Sequence, residues 1–397
     1  MTERRTPKAL VVLLASLTSL GPLSISFYLP ALPYLVDEFG VTEAQAQLTM
    51  TATLIGLAAG QLILGTVSDA RGRRSLLLIA LAGFAVVSLA IALVGNLWAV
   101  IVLRVLQGFF ASGGIVLSRA IVRDTSSRRA VGRINARLLL VITVTPLVAP
   151  SIGAQVLIVS SWRLMFVFLA AIAAIFFVIV AVTLPETLKP EERRAGGLSS
   201  AGRAYVELFS NARFRALMVM VGVMMTSYFT YITASAFVFQ DGFGLSTQQF
   251  GILYGAGAIM LTAGTQLGGQ LFDRVSPERL AALAFSVAIL GSAVMVVMTT
   301  LSGDDGGPSL VAFLVALLPT LLANGLLIST SQGLVLSQRG GHAGSRAAML
   351  GAVQFGVGAL GAPISGLFGS TALAMAGVMG TGFVLGVLAL VVVRRRP

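Results

Sequence analysis

Long apolar runs alternate with short polar, arginine-rich breaks along nearly the whole chain. A helix that crosses about 30 Å of hydrocarbon needs about 20 mostly apolar residues, each rising 1.5 Å, and twelve runs reach that length. They lie near residues 9–35, 45–67, 75–95, 98–118, 138–159, 164–184, 216–239, 249–271, 280–301, 309–336, 348–369 and 372–393. The pattern predicts an all-α membrane protein with twelve spanning helices. A basic Met1 to Lys8 stretch ahead of the first run imitates a cleavable leader. That run continues through Pro22, Pro30 and Pro33, too far for a leader, and reads as an uncleaved first span.

Composition agrees: of 397 residues, 56% are hydrophobic and 11% charged, with a mean hydropathy of +0.94. The net charge of +12 would suit a nucleic acid if it gathered on one soluble face. The basic residues instead sit between apolar runs, so no nucleic acid partner is expected. The absence of cysteine excludes disulfides, thiolate metal sites and thiol nucleophiles. The single histidine, His342, lies in the loop RGGHAG, so a His-based metal centre or triad cannot be assembled. No metal, cofactor or enzyme activity is expected.

Basic residues also orient the chain. All of the 27 except Arg104, inside the fourth run, and Arg163, at the start of the sixth, fall on the side of the N-terminus. This places both termini in the cytoplasm. The longest polar connection, 185–215, reads as a linker between an N-terminal six-helix bundle, 1–184, and a C-terminal one, 216–397. Internal repeats support the division. GQLILGTVSD and GTQLGGQLFD align Gly60 with Gly264, Gly65 with Gly269 and Asp69 with Asp273, an offset of 204. APSIG at 149–153 matches APISG at 362–366, at an offset of 213. Duplicated halves are the architecture of two-bundle secondary transporters.

Four stretches carry candidate chemistry. In GTVSDARGRR, Gly65 permits close helix approach, while Asp69 and Arg73 can pair across a tight turn. Gly65, Asp69, Gly72, Arg73 and Arg74 resemble the signature between spans two and three of the major facilitator superfamily. The resemblance implies a cytoplasmic gate latched to an acid at the end of the fourth span, for which Asp124 is the candidate, with Asp273 the repeat's counterpart of Asp69. A plain positive-inside anchor is the alternative. In RVLQGFFASGG, Arg104, Gln107, Gly108, Ala111 and Ser112 share one helical stripe. A guanidinium there costs at least about 2.5–3.5 kcal/mol on insertion scales, so it should face a wet cavity, a partner or backbone carbonyls. The stripe is similar to the superfamily's R-x-x-Q-G motif, which implies a part in substrate binding or proton coupling.

In TPLVAPSIGA, Pro146, Pro150 and Gly153 predict a bent, tightly packed helix, as does Pro363 in the matching APISG. The stretch resembles the G-P-x-x-G-G motif of drug/proton antiporters, with Ala149 and Ala154 replacing two glycines. Finally, SISFYLPALPYL, with LPETL at 184–188 and AFVFQ at 236–240, resembles the bicyclomycin/chloramphenicol resistance (Bcr/CflA) branch of those antiporters. The likeness extends over nearly the whole chain and draws in Tyr28. Two departures stand out: Ser26 where that branch usually has an acid, and Ala236 where proline is common. No acidic residue lies within the twelve runs, and Asp37 and Asp241 at the outer mouth are the remaining proton carriers or else solvated carboxylates.

GVGALG at 356–361 satisfies a dinucleotide pattern but follows no strand, so its glycines read as helix packing. Tyr228, Phe229, Tyr231 and Tyr254 could line a cavity or fill the bundle. Gln155, Gln266, Asn324, Gln332 and Gln354 are further cavity candidates, since amides in lipid seek partners. The expectation is a monomeric inner-membrane transporter exporting small lipophilic drugs of phenicol or bicyclomycin type by alternating access and proton antiport. The alternative is a facilitator or metabolite exporter without proton coupling.

Overall fold

The computed structural model describes residues 7–188, 191, 197–272, 274–302, 309–338 and 343–395. Asp273 and His342 lie outside the described residues. The described chain forms sixteen α-helices: α1 (Lys8–Thr18), α2 (Leu20–Ser26), α3 (Leu32–Phe39), α4 (Glu43–Arg71), α5 (Arg73–Leu93), α6 (Leu97–Thr125), α7 (Arg128–Val159), α8 (Trp162–Thr183), α9 (Gly197–Ser210), α10 (Ala212–Phe237), α11 (Thr247–Leu271), α12 (Pro277–Leu301), α13 (Leu310–Leu336), α14 (Ala343–Gly356), α15 (Gly361–Leu367) and α16 (Ala372–Arg395). Twelve segments are long and apolar enough to cross a membrane, and each overlaps an expected run.

Proline explains the two broken spans. The first is divided into α1, α2, a 3₁₀ turn at Leu29–Ala31 and α3. Pro22, Pro30 and Pro33 each remove an N–H from the ladder and restrict the residue before them. The eleventh is divided into α14, a 3₁₀ turn at Gly358–Leu360 and α15. Pro363 cannot bond the Ala359 carbonyl, and the Thr51 hydroxyl donates to that oxygen at 3.3 Å. Gly361 of GVGALG packs against α10, where the Thr230 hydroxyl donates to its carbonyl at 3.2 Å.

Other helices outrun the bilayer. α4 and α6 each hold 29 residues, about 44 Å at 1.5 Å per residue against about 30 Å of hydrocarbon. Glu43, Asp69 and Asp124 are therefore helical, yet sit at helix ends. α7 begins at Arg128, ten residues before its apolar run, because a polar turn continues a helix as readily as an apolar one once water is present. Within the 185–215 stretch, Gly197–Ser210 is helical.

By contacts the chain divides into two compact units: Met1–Ala31 with Ala52–Arg203, and Leu32–Thr51 with Ala204–Pro397. In the first, α5 packs on α6 and α8. In the second, α11 and α12 pack on α13, and α10 on α16. Leu32–Thr51 joins the second unit through α3 against α10 and through buried Gln47. The Gln47 amide donates to the Ser370 hydroxyl at 2.6 Å and accepts from Ser365 at 3.3 Å.

The repeat appears in the packing, shifted by one helical turn. A methyl at Gly56 would stand 2.0 Å from the Val105 carbonyl, one at Gly60 2.0 Å from the Ser112 hydroxyl, and one at Gly108 2.1 Å from the Thr53 carbonyl. In the second unit Gly264 meets the Leu322 carbonyl at 1.9 Å, Gly268 the Ser329 hydroxyl at 1.9 Å, and Gly325 the Leu261 carbonyl at 2.0 Å. Gly264 thus takes the contacts of Gly56, not those of Gly60. Small residues four apart lie on the same helix face, so sequence identity alone cannot choose between registers one turn apart.

Candidate functional site

The α4–α5 turn is built around Arg73, whose side chain is only 2% exposed. Its Nε donates to Asp124 at 2.9 Å, one terminal nitrogen pairs with Asp69 at 2.5 Å, and the other donates to the Ser68 hydroxyl at 2.5 Å. The planar fork lets one cation satisfy three acceptors at fixed angles. Arg123 approaches the same carboxylates more loosely, 3.7 Å from Asp69 and 3.8 Å from Asp124. Asp69, Arg73 and Asp124 are therefore joined within the first unit. Gly65 lies one turn earlier, 3.2 Å from Val116 at its would-be Cβ.

Glu186 completes the cluster and was not among the residues expected to act there. Helix α5 starts without a capping side chain at Gly72, so its first N–H groups need an outside acceptor. Glu186 accepts from the Arg73 N–H at 2.8 Å and the Arg74 N–H at 3.2 Å. Burial pushes its carboxyl up, but backbone N–H donors at Arg73, Leu188, Arg74 and Thr187 outweigh this and hold it below its ordinary 4.5. Gly72 makes room: its φ is +103°, and a methyl there would lie 2.5 Å from a Glu186 oxygen. Arg74 reaches the end of α8, donating to the Ala181 carbonyl at 2.7 Å. The signal in the sequence was a helix start at Gly72 lacking Ser, Thr, Asp or Asn, with nothing local to name its acceptor.

The second cluster lies inside the membrane span of α6. Arg104 and Gln107 are fully buried. Arg104 donates from one nitrogen to the Ser24 carbonyl at 3.0 Å and to the Gln107 side-chain oxygen at 2.6 Å. Gln107 in turn donates to the Ser88 hydroxyl at 2.8 Å. The guanidinium also stands 4.7 Å from the Tyr28 ring and 5.5 Å from that of Phe166, where the ring faces attract a cation. Arg104, Gln107 and Tyr28 are thus brought together, while Gly108 serves the α4 contact. Ser26 is buried at the end of α2, where its hydroxyl carries no charge. Pro146 and Pro150 lie within α7, and Gly153 lets that helix approach, its would-be Cβ 2.1 Å from the Phe27 carbonyl. Elsewhere in the same unit an apolar groove of about 400 Å³ is lined by Ser19, Leu23, Val141, Val144, Val148 and Ile152.

In the second unit Tyr231 stacks on Tyr254, ring centres 5.6 Å apart and planes at 8°. Gln332, on α13, is half-buried and forms no hydrogen bond among the described residues. The structure gives no contact between it and Tyr231. Asp37 and Asp241 are both exposed.

Residues 14–365 match the Major Facilitator Superfamily. The chain belongs to that superfamily. It is 33% identical over 383 residues to the uncharacterized MFS-type transporter YdgK of Bacillus subtilis, covering 96% of this chain and 94% of that one. It is 26% identical to a bicyclomycin resistance protein homolog of Haemophilus influenzae, covering 98% and 97%. Such relatives bear out the likeness to the drug/proton antiporter group. Among solved structures, an inward-facing, occupied bacterial homolog of the human lysosomal transporter Spinster shares the fold with a TM-score of 0.75 at 14% identity, covering 98% and 97%. This major facilitator chain is a twelve-span membrane transporter of small molecules.

Proposed function

We propose that this transporter exports small lipophilic molecules, of phenicol or bicyclomycin type, out of the cytoplasm by alternating access. The observation that carries the reading is the buried Arg104–Gln107–Ser88 chain set against the Tyr28 and Phe166 rings. Apolar walls with a few fixed polar groups suit varied lipophilic ligands. A bicyclomycin resistance homolog among the relatives supports the same substrate class. In this reading the chain works as a monomer in the inner membrane with both termini in the cytoplasm. The Asp69–Arg73–Asp124–Glu186 cluster, with Asp273, then serves as its cytoplasmic gate. Arg104, with Tyr28 beside it, orients the polar end of the substrate, and Tyr231 and Gln332 are the candidate substrate residues of the second unit.

A second reading, export or facilitation without proton coupling, is favoured by one observation: buried Ser26 replaces the acid that the related branch uses, and Asp37 and Asp241 are exposed. Drug accumulation in cells with and without the protein, across a compound panel, tests export itself. Lower accumulation of panel drugs is expected in cells carrying the transporter, and equal accumulation of every compound would refute export. Flux in proteoliposomes against an imposed pH gradient separates the two readings.

A further inference from the structure

By its glycine contacts, the α11–α13 pair repeats the α4–α6 pair, and Gln107-Gly108 of α6 corresponds to Asn324-Gly325 of α13. In the first unit the amide has work at both ends, accepting from Arg104 and donating to Ser88. In the second unit the residue in the place of Arg104 is Leu321. Asn324 is fully buried, and neither its oxygen nor its nitrogen has a hydrogen-bond partner among the described residues. A buried amide with both ends idle is costly. Leu321, one turn away, meets the Tyr231 hydroxyl at Gly257, where a methyl would lie 2.9 Å from the leucine and 2.4 Å from that oxygen. Asn324 therefore lies one helical turn from the Tyr231–Tyr254 stack.

We infer that Asn324 is a specificity-determining residue, the hydrogen-bonding anchor of the second unit for an uncharged substrate. The inference rests on the export reading and narrows its substrate class. An amide offers one acceptor and a pair of donors side by side. Its complement is a neutral group that both donates and accepts, a hydroxyl or a carboxamide, carried on an apolar body that the aromatic pair can cover.

The test uses chloramphenicol, a neutral molecule with hydroxyls and an amide, in equilibrium dialysis against the full-length protein in detergent. Wild type, Asn324→Leu and Asn324→Gln are compared for Kd and for thermal stability. The leucine variant should bind about tenfold more weakly while melting no lower than wild type, because it removes an idle polar group instead of a packed one. The glutamine variant should recover part of the loss. Unchanged affinity in Asn324→Leu, or weaker binding that follows a lower melting temperature, would overturn the assignment. So would a wild type that does not bind chloramphenicol. Cellular accumulation of the wider panel judges export separately, so lower accumulation of other drugs beside unchanged Asn324→Leu binding would sink only this inference.

Discussion

In the first unit Gly56, Gly60 and Gly108 seat α4 against α6; in the second, Gly264, Gly268 and Gly325 seat α11 against α13 through the same kinds of atoms. Around this shared frame the polar groups differ. The first unit carries a buried cation on α6, tied to Ser24, Gln107 and two aromatic rings, and a second buried cation at the α4–α5 turn. The second unit has Leu321 and an idle Asn324 where the first has Arg104 and Gln107. Its described ion pair, Arg213 with Glu278 at 3.3 Å, is 31% and 27% exposed. The two units share what the backbones need in order to touch, while the second unit's buried cation, Arg346, lies on α14 and not on the α11–α13 pair.

The largest effect should come from setting the buried charge cluster against the exposed pair. Arg73→Ala leaves Asp124 and Asp69 without their shared cation, and breaking a buried pair from one side costs about 3–5 kcal/mol. Export should be abolished while the protein remains in the membrane, as also for Asp69→Asn. Arg213→Ala should cost only about 0–1 kcal/mol, the worth of an exposed pair. Denaturation and flux measured on both variants decide it, and equal losses would erase the distinction between the units.

Gly72→Ala should cost about 1–3 kcal/mol, since alanine is strained at that φ and would press on Glu186. The pH response sharpens this. Glu186 is held below its ordinary 4.5 in the folded protein. Its contribution is therefore complete above 4.5 and is lost as pH falls through the lower folded value. Thermal stability on acidification should thus fall more steeply in the wild type than in Glu186→Gln, and parallel curves would mean that the carboxylate does not grip α5.

A smaller change tests the membrane-embedded cation. Arg104→Lys should lower kcat/KM for export by about tenfold, because a compact ammonium loses the planar face set against the Tyr28 and Phe166 rings. Arg104→Ala should do worse. Normal kinetics in the lysine variant would assign Arg104 to bracing the helices.

The gentlest test concerns coupling. Flux through the unmodified protein at fixed membrane potential should depend weakly on an imposed pH gradient, and Ser26→Asp should strengthen that dependence by placing a proton-exchanging group at a buried position. Steep pH-driven flux in the wild type would move attention to Asp37 and Asp241, where loss in Asp37→Asn or Asp241→Asn would identify the carrier.

Twelve apolar runs were enough to place all twelve spans, because hydrocarbon thickness imposes a length that composition alone reveals. The pairing of Asp69, Arg73 and Asp124 was legible too, through motif spacing. Glu186 was not: it lies more than a hundred residues from the N–H groups it caps, and nothing local marks a long-range acceptor. The internal repeat reads one turn out of register in sequence, because Gly60 and Gly264 match as letters while the packing matches Gly56 to Gly264. Helix α9 leaves no such mark in the sequence, since a polar amphipathic segment has no length threshold to cross. The state of Asn324 could only emerge from its neighbours, since an amide in an apolar run looks the same whether satisfied or idle.

The glycine contacts have a mechanical consequence. Backbone pressed on backbone leaves no side-chain layer to shear, so α4 with α6, and α11 with α13, should each behave as a stiff strut. Beyond the prolines carried inside α7 and α13, compliance should then concentrate where proline breaks a helix outright, at 27–31 in the first span and 356–361 in the eleventh. Amide exchange is the observable, fastest in those two short stretches and slowest along the struts. If so, a substrate's push is absorbed at two weak joints whose positions were set by Pro30 and Pro363.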